Sequence, residues 1–200
     1  MPRDIPVSNG SLLLNFDAHY RLRDIYFPYI GQENHSEGHP SRFGIWVDGQ
    51  FSEMGAAWQK RIRYRENSLV TDVILKNEGL GLELHCHDGV HFDLNVYLKE
   101  IHVLNLEDKD RDVRLFFHHN FHLYGNDIGD TTYFDPRTHS IIHYKANRYF
   151  LINCCVNGKY GVEFFACGPK ELPGKPGTWK DAEDGELSGD PVAWGSADSM

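Results

Sequence analysis

Apolar and polar residues alternate over long stretches of this chain, and this alternation constrains its fold more than any other feature. Between Val113 and Leu123, apolar or aromatic side chains occupy every second position, apart from a histidine at His119. A period of two is typical of a half-buried β-strand. The sequence before it indicates a meander with predicted strands Ser68–Lys76, Leu80–His87, His91–Asn105 and Asp112–Leu123. Short turns separate these strands, so we expect antiparallel pairing, because parallel strands need longer crossovers.

The same pattern predicts further strands outside the meander, at Ser11–Phe16, Tyr20–Tyr26, Phe43–Val47, Ser140–Lys145, Tyr149–Val156 and Gly161–Cys167. The pairs Asp48-Gly49 and Asn157-Gly158 are typical of tight hairpin turns. About ten strands rarely remain in one open twisted sheet. Helical periodicity is almost absent, so the sequence predicts an all-β fold of two packed antiparallel sheets.

The chain has 200 residues, which is enough for one domain and its hydrophobic core. From Pro169 the sequence becomes rich in proline, glycine and acidic residues, and only one helical turn is indicated, near Trp179–Glu183. We therefore expect a β-sandwich over residues 1–168 and an irregular segment over residues 169–200.

Charge and hydropathy disfavour two classes of partner. The formal net charge of −9 disfavours nucleic acids and anionic membranes. No apolar run approaches the ~20 residues of a membrane span, and the N-terminus lacks the pattern of a signal peptide. The four cysteines form no C-x-x-C motif. We expect a cytoplasmic protein with reduced thiols.

Polar residues are concentrated between Tyr26 and Gly44, where two histidines, two glutamates, an asparagine and an arginine occur. This composition fits a catalytic loop, a metal site or a long connection that contacts another molecule. Pro28 and Pro40 bracket the stretch, and Gly31 and Gly38 allow tight turns within it.

Histidines at His85, His87 and His91 form an H-x-H-x-x-x-H pattern, and His118, His119 and His122 follow later in the chain. Two imidazoles at alternate strand positions share a face and can bind one metal ion, as cupin-type sites do. Histidines satisfied on a sheet face are the alternative. We expect no bound metal or other cofactor.

Glycoside hydrolysis needs two carboxyl groups that face one bond. The acidic candidates are Glu33, Glu37, Asp127, Asp130 and the cluster Asp181–Asp190. None has a sequence context that marks a raised pKa, so we expect no catalytic residue among them.

Aromatic side chains offer a different chemistry, because an exposed ring with polar neighbours can stack on a sugar. Core packing is the alternative for each of them. The candidates are Trp46, Trp58, Trp179, Trp194, Tyr26 and Tyr29.

Three stretches, Asn9–Ser52, Phe116–Leu151 and Asp181–Ser199, resemble the N-terminal domain of bacterial and archaeal glucoamylase-like proteins of glycoside hydrolase family 15. The resemblance implies a β super-sandwich of the galactose-mutarotase-like or glucodextranase N-domain type. In that family an (α/α)6 barrel follows the sandwich and carries two catalytic glutamates of an inverting α-glucosidase. Family substrates include maltooligosaccharides, dextrans and trehalose.

The helix-poor sequence leaves no room for that barrel, so the resemblance assigns no catalytic residue to this chain, which we expect to be inactive alone and truncated. Two hypotheses follow. The chain is an accessory domain whose partner is the downstream barrel, or it is a stand-alone β-sandwich that binds carbohydrate, such as an α-glucan, or a metal. A surface built to pack on a barrel would be left bare, which favours a homodimer.

The resemblance also changes the interpretation of the polar loop. We expect it to contact a neighbouring catalytic domain or the edge of its sugar pocket. The residues predicted to make that contact are Asn34, His35, His39, Arg42 and Trp46.

Overall fold

The computed structural model describes residues 4–171 and 177–200, which form eighteen strands and two short 3-10 helices. The strands are β1 (Ile5–Ser8), β2 (Leu13–Phe16), β3 (Leu22–Tyr26), β4 (Arg42–Val47), β5 (Gln50–Glu53), β6 (Gln59–Tyr64), β7 (Thr71–Asn77), β8 (Leu82–Val90), β9 (Tyr97–Asn105), β10 (Val113–His118), β11 (Asp130–Asp135), β12 (Ser140–Lys145), β13 (Arg148–Ile152), β14 (Cys155–Val156), β15 (Lys159–Tyr160), β16 (Cys167–Pro169), β17 (Val192–Gly195) and β18 (Ala197–Ser199). The 3-10 helices span Leu123–Gly125 and Thr178–Glu183.

Every strand pair in the described residues is antiparallel. Two sheets have four strands, in the orders β6-β7-β8-β9 and β13-β12-β11-β17. Two have three strands, in the orders β1-β2-β3 and β10-β4-β5, and two small pairs join β14 to β15 and β16 to β18. The predicted all-β, antiparallel class is therefore confirmed.

The main core forms where the inner face of the β6–β9 sheet meets the two three-stranded sheets. Along β7, and along β8 as far as Asp88, the side chains alternate between buried and partly exposed. Their buried members, such as Val73, Leu75 and Leu84, meet Ile45 and Val47 of β4 in one cluster. Each such aliphatic side chain stabilises the fold by about 1.5–3 kcal/mol when fully buried.

Both predicted hairpin turns form. Asp48 and Gly49 have φ values of 50° and 84°, and Asn157 and Gly158 have φ values of 51° and 85°. Two successive residues with positive φ are typical of a type I′ turn, whose twist matches that of the flanking strands. Local chemistry alone therefore determines these two connections.

Several predicted strands differ from the structure. The strand predicted over His91–Asn105 begins only at Tyr97, and the one predicted over Tyr149–Val156 is interrupted at residues 153–154. Residues 161–166 are not a strand, and only Cys167 of that run begins β16. Gly161 has a φ of 111°, and the backbone of this stretch bonds to scattered partners such as His139 and Met200 instead of one ladder. The strand predicted over Asp112–Leu123 ends at His118, because the backbone of His119 pairs with Ser199 instead.

The C-terminal segment is more regular than its composition indicates. The 3-10 helix at Thr178–Glu183 matches the predicted helical turn, but β17 and β18 were expected to be irregular. β17 pairs with β11 and β18 pairs with β16, so long-range ladders order a sequence with little strand propensity of its own. Part of the segment, residues 172–176, lies outside the described residues. No helix within 4–171 and 177–200 is long and apolar enough to cross a membrane.

Candidate functional site

The loop between β3 and β4 is ordered by its own side chains. The Asn34 amide donates to Asp24 Oδ1 at 3.0 Å, and its Oδ1 accepts from the backbone N–H groups of Ile25 and Ser36. The Ser36 hydroxyl donates to the carbonyl of Arg23 at 2.5 Å. These bonds tie the loop to β3, so Asn34 has a structural role in this geometry.

His35 is fully buried beneath the loop. Its Nε2–H donates to the carbonyl of Phe27 at 2.6 Å, and its Nδ1 accepts from the backbone N–H of Tyr124 at 3.2 Å. Burial lowers the pKa of His35. Donation by one ring nitrogen and acceptance by the other need the neutral imidazole, which agrees with this shift.

An ion pair also joins the β3–β4 loop to a strand that is distant in sequence. Arg148 at the start of β13 bonds both oxygens of Glu33, with Nε–Oε1 at 2.6 Å and Nη2–Oε2 at 3.1 Å. These hydrogen bonds lower the pKa of Glu33. A carboxylate that is kept ionised and occupied on both oxygens lacks the raised pKa of a general acid.

At the loop's far end, the exposed His39 ring stacks on His122, with ring centroids 4.2 Å apart and planes 8° from parallel. Nδ1 of His122 lies 2.5 Å from Asp127 Oδ1. Burial, and then the nearby charge of Lys170, lower the pKa of His122 to about 4. His122 Nε2 is buried and makes no hydrogen bond to any described residue.

Asp127 and Asp130 are close together, because both contact the ammonium group of Lys170, at 2.8 and 3.3 Å. Burial raises the pKa of Asp130, and Lys170 and Lys145 partly oppose this. A raised pKa beside a second carboxylate is the pattern of a glycosidase pair. Here, however, Asp130 is 1% exposed and the side chain of Lys170 is 5% exposed, so a cation fills the space that a glycosidic bond would need.

Arg42 and Trp46 lie apart from the loop tip, on β4 under the C-terminal segment. Arg42 pairs with Glu171 at 2.8 Å and lies over the Trp179 ring at 5.7 Å. Trp46 stacks beneath the Arg114 guanidinium at 4.7 Å and also packs against Gly185. The five predicted contact residues therefore divide: Asn34 and His35 order the loop, Arg42 and Trp46 pack under the C-terminal segment, and His39 is exposed.

The histidines of the metal hypothesis are separately engaged. Nε2 of His85 lies 2.7 Å from Glu83, and Nδ1 of His87 donates to the carbonyl of Thr71 at 3.0 Å. His91 accepts backbone N–H groups within its own turn. Within 4–171 and 177–200, no group of three or more histidine, cysteine or acidic side chains is arranged to hold a metal ion.

His118 and His143 belong to a buried polar layer that the sequence did not reveal. Nε2 of His118 contacts Asp198 at 2.7 Å, and Thr178 donates to the other oxygen of Asp198 at 2.7 Å. His143 pairs with Ser199 at 2.7 Å. The pairing of β18 with β16 and of Ser199 with His119 positions Asp198 and Ser199 beside these residues, and no local pattern predicts either contact. They lock the C-terminal strand to the sandwich.

Another buried charge network lies on the β6–β9 sheet. Asp88 has no exposed side chain and receives hydrogen bonds from Tyr20 and Tyr97 at 2.5 Å each and from Thr71 at 2.8 Å. Lys99 Nζ lies 2.8 Å from the same carboxylate and 4.1 Å from the centroid of the Tyr20 ring. Asp88 and Tyr20 are buried, the Lys99 side chain is 18% exposed, and the network has a structural role.

No protein-family model matches the chain. The chain is similar to an uncharacterized glycosyl hydrolase, MJ1610, of Methanocaldococcus jannaschii, with 24% identity over 181 residues that cover 90% of this chain and 28% of the relative. Among solved structures it is similar to a bacterial glucoamylase complexed with acarbose, with a TM-score of 0.72 and 11% identity. That match covers 96% of this chain and 28% of the glucoamylase. The chain thus spans less than a third of either protein, shares the fold of part of a glucoamylase, and is similar in sequence to part of a glycosyl hydrolase.

Proposed function

We propose that this chain is the non-catalytic N-terminal β-sandwich domain of a family 15 glycoside hydrolase that acts on α-glucosides. The observation that carries the proposal is the extent of the structural match, which includes 96% of this chain but only 28% of the glucoamylase. The remaining part of such a protein is where we place the catalytic (α/α)6 barrel. Maltooligosaccharides, dextrans and trehalose are the proposed substrates of the whole enzyme.

Four carboxylates of the described residues support a non-catalytic role. Glu33 is held by an arginine, Asp127 and Asp130 share a lysine, and Asp88 is sealed in the core. An inverting hydrolase needs an accessible acid and base about 6.5–9.5 Å apart, with room for sugar and water. The four acids are committed to structural ion pairs instead.

The proposed contact surface for the barrel is the tip of the β3–β4 loop. Tyr29 is 60% exposed and Ile30 is 37% exposed, and His39 lies on the same loop. Tyr124 and Ile128, which follow the His122 stack, add exposed apolar area. Internal hydrogen bonds order the loop in advance, which reduces the entropy lost on association.

Glucose release tests this proposal. We expect the purified chain to release no glucose from maltose, starch, dextran or trehalose. Release by the chain that is lost in Glu33→Gln or Asp130→Asn, but kept in a control such as Glu78→Gln on an exposed turn, would show a catalytic centre within the sandwich and refute the proposal.

A further inference from the structure

The β13-β12-β11-β17 sheet has an outer face made of aromatic and aliphatic side chains. Strand register places Trp194, Thr131, Tyr144 and Tyr149 side by side in one row across all four strands. A neighbouring row contains Tyr133 and Leu151, completed by two aliphatic residues. Residues directly opposite on antiparallel strands point to the same face, so the two rows form a continuous surface, here named the aromatic platform.

The rings of the platform are open to solvent at both of its ends. Trp194 is 76% exposed and Tyr149 is 62% exposed. Tyr149 stacks on Tyr144 with ring centroids 5.6 Å apart and planes 11° from parallel, and Tyr133 packs edge-on against Tyr144 at 6.0 Å. This packing fixes the inner rings, while the outer rings keep a free face.

The hydroxyl and indole N–H groups of the platform have no hydrogen-bond partner among the described residues. Tyr20, Tyr64, Tyr97 and Tyr124 all use their hydroxyls in hydrogen bonds within the protein. Within the described ranges, no such bond involves the hydroxyls of the three platform tyrosines or the indole N–H of Trp194. The platform therefore offers apolar ring faces together with unused hydrogen-bonding groups, which is the combination that an amphipathic ligand needs.

The size of the platform distinguishes between a small ligand and a protein partner. Three inter-strand steps of about 4.8 Å make each row about 14 Å long, and two residues along a strand separate the rows by about 6.7 Å. With Trp194 76%, Tyr149 62% and Leu151 60% exposed, the platform exposes on the order of 500–600 Å². A stable protein interface buries about 800 Å² on each partner, which is more than the platform alone offers, so its size favours a small ligand over a dimer.

The charges of the platform and of the whole chain also favour a small neutral ligand. Neither row contains a charged side chain, and the chain carries a formal net charge of −9, which disfavours a polyanionic ligand. A neutral sugar has the complementary chemistry, because a pyranose ring has an apolar C–H face and hydroxyl groups around its edge.

We propose that the aromatic platform binds a neutral glucan, with sugar rings stacked on Trp194 and Tyr149. The choice of an α-glucan as ligand rests on the proposed function, whereas the stacking geometry does not. The platform would hold substrate polymer on the sandwich, away from any catalytic centre, and so raise its local concentration.

Binding to soluble starch in native affinity gels, and titration calorimetry with maltoheptaose, test the proposal. We expect retention of the wild-type chain and an affinity loss of about fivefold or more in Trp194→Ala and in Tyr149→Ala, as befits a lost stacking contact. Tyr149→Phe keeps the ring but loses the hydroxyl, and should lose less affinity than Tyr149→Ala. Tyr160→Ala is the matched control, because Tyr160 is 82% exposed on another hairpin.

Circular dichroism and thermal unfolding establish that each variant is folded. If Tyr149→Ala loosens its strand, Trp194→Ala remains informative, because its indole is largely solvent-exposed on an edge strand. Absence of wild-type binding, equal binding by all variants, or an equal loss in Tyr160→Ala would overturn the proposal. So would a dimer abolished by Trp194→Ala without sugar binding. None of these results affects glucose release, which tests the proposed function separately.

Discussion

Replacing Asp88 by asparagine removes the charge at the centre of the buried network without changing the size of the side chain. Asp88 accepts from three hydroxyl groups and lies 2.8 Å from Lys99, and its side chain has no exposed surface. An amide nitrogen cannot accept the bonds that one carboxylate oxygen accepts, and the lysine loses its counter-charge. Removing one partner of a buried pair costs about 3–5 kcal/mol.

Urea denaturation followed by circular dichroism measures this loss. We expect Asp88→Asn to lower the free energy of unfolding by about 3–5 kcal/mol at neutral pH. Asp72→Asn is the matched control, because Asp72 pairs with Arg63 on the surface of the same sheet, where such pairs contribute about 0–1 kcal/mol. A loss below about 1 kcal/mol in Asp88→Asn would refute the reasoning.

The pH dependence gives an independent check. Burial by itself raises the pKa of Asp88, but Lys99 and the hydroxyl donors outweigh it and hold the pKa below its usual value. As the pH falls below about 4, the unfolded chain takes up the proton first, so the contribution of Asp88 is present above that pH and lost below it. The stability difference between wild type and Asp88→Asn should therefore shrink below about pH 4.

Three further predictions concern other parts of the fold. Gly185→Ala should destabilise the protein by about 2–4 kcal/mol, because Gly185 has a φ of 87° and a new Cβ would lie 2.7 Å from the Trp46 ring. The control Gly189→Ala should cost about 1–2 kcal/mol, because Gly189 also has a positive φ but a new Cβ would meet nothing within 4 Å. Glu33→Gln should cost about 1–3 kcal/mol and speed amide exchange in the β3–β4 loop, measured by mass spectrometry. Burial lowers the pKa of His143, so the free energy of unfolding decreases as the pH falls below about 6.5. His143→Gln should reduce this pH dependence by up to ~1.4 kcal/mol per pH unit, measured by urea titrations at several pH values.

Sequence patterns correctly predicted those strands and turns that depend only on neighbouring residues. The alternation of β7 and β8 and the Asp48-Gly49 turn are properties of neighbouring residues, and both are present in the structure. Residues 161–166 have strand-like composition but no partner ladder, whereas β17 and β18 have weak propensity and are ordered by distant strands. Tertiary pairing overrides propensity in both cases.

The candidate site was less predictable for the same reason. The loop composition indicated an ordered connection, but the roles of its residues depend on partners far along the chain. Glu33 is 115 residues from Arg148, and His35 is 89 residues from Tyr124. Trp194 looked like any other tryptophan in the sequence, and only its exposure in the structure distinguishes it from the buried Trp58.

The central claim is that this sandwich supports a catalytic barrel through the tip of its β3–β4 loop. The most direct test is light scattering of the chain mixed with a separately expressed (α/α)6 domain from the same genomic locus. We predict a one-to-one complex that Tyr29→Ala and His39→Ala weaken, and that the platform variant Trp194→Ala leaves intact. No association with that domain, or a complex insensitive to the loop variants, would contradict the account.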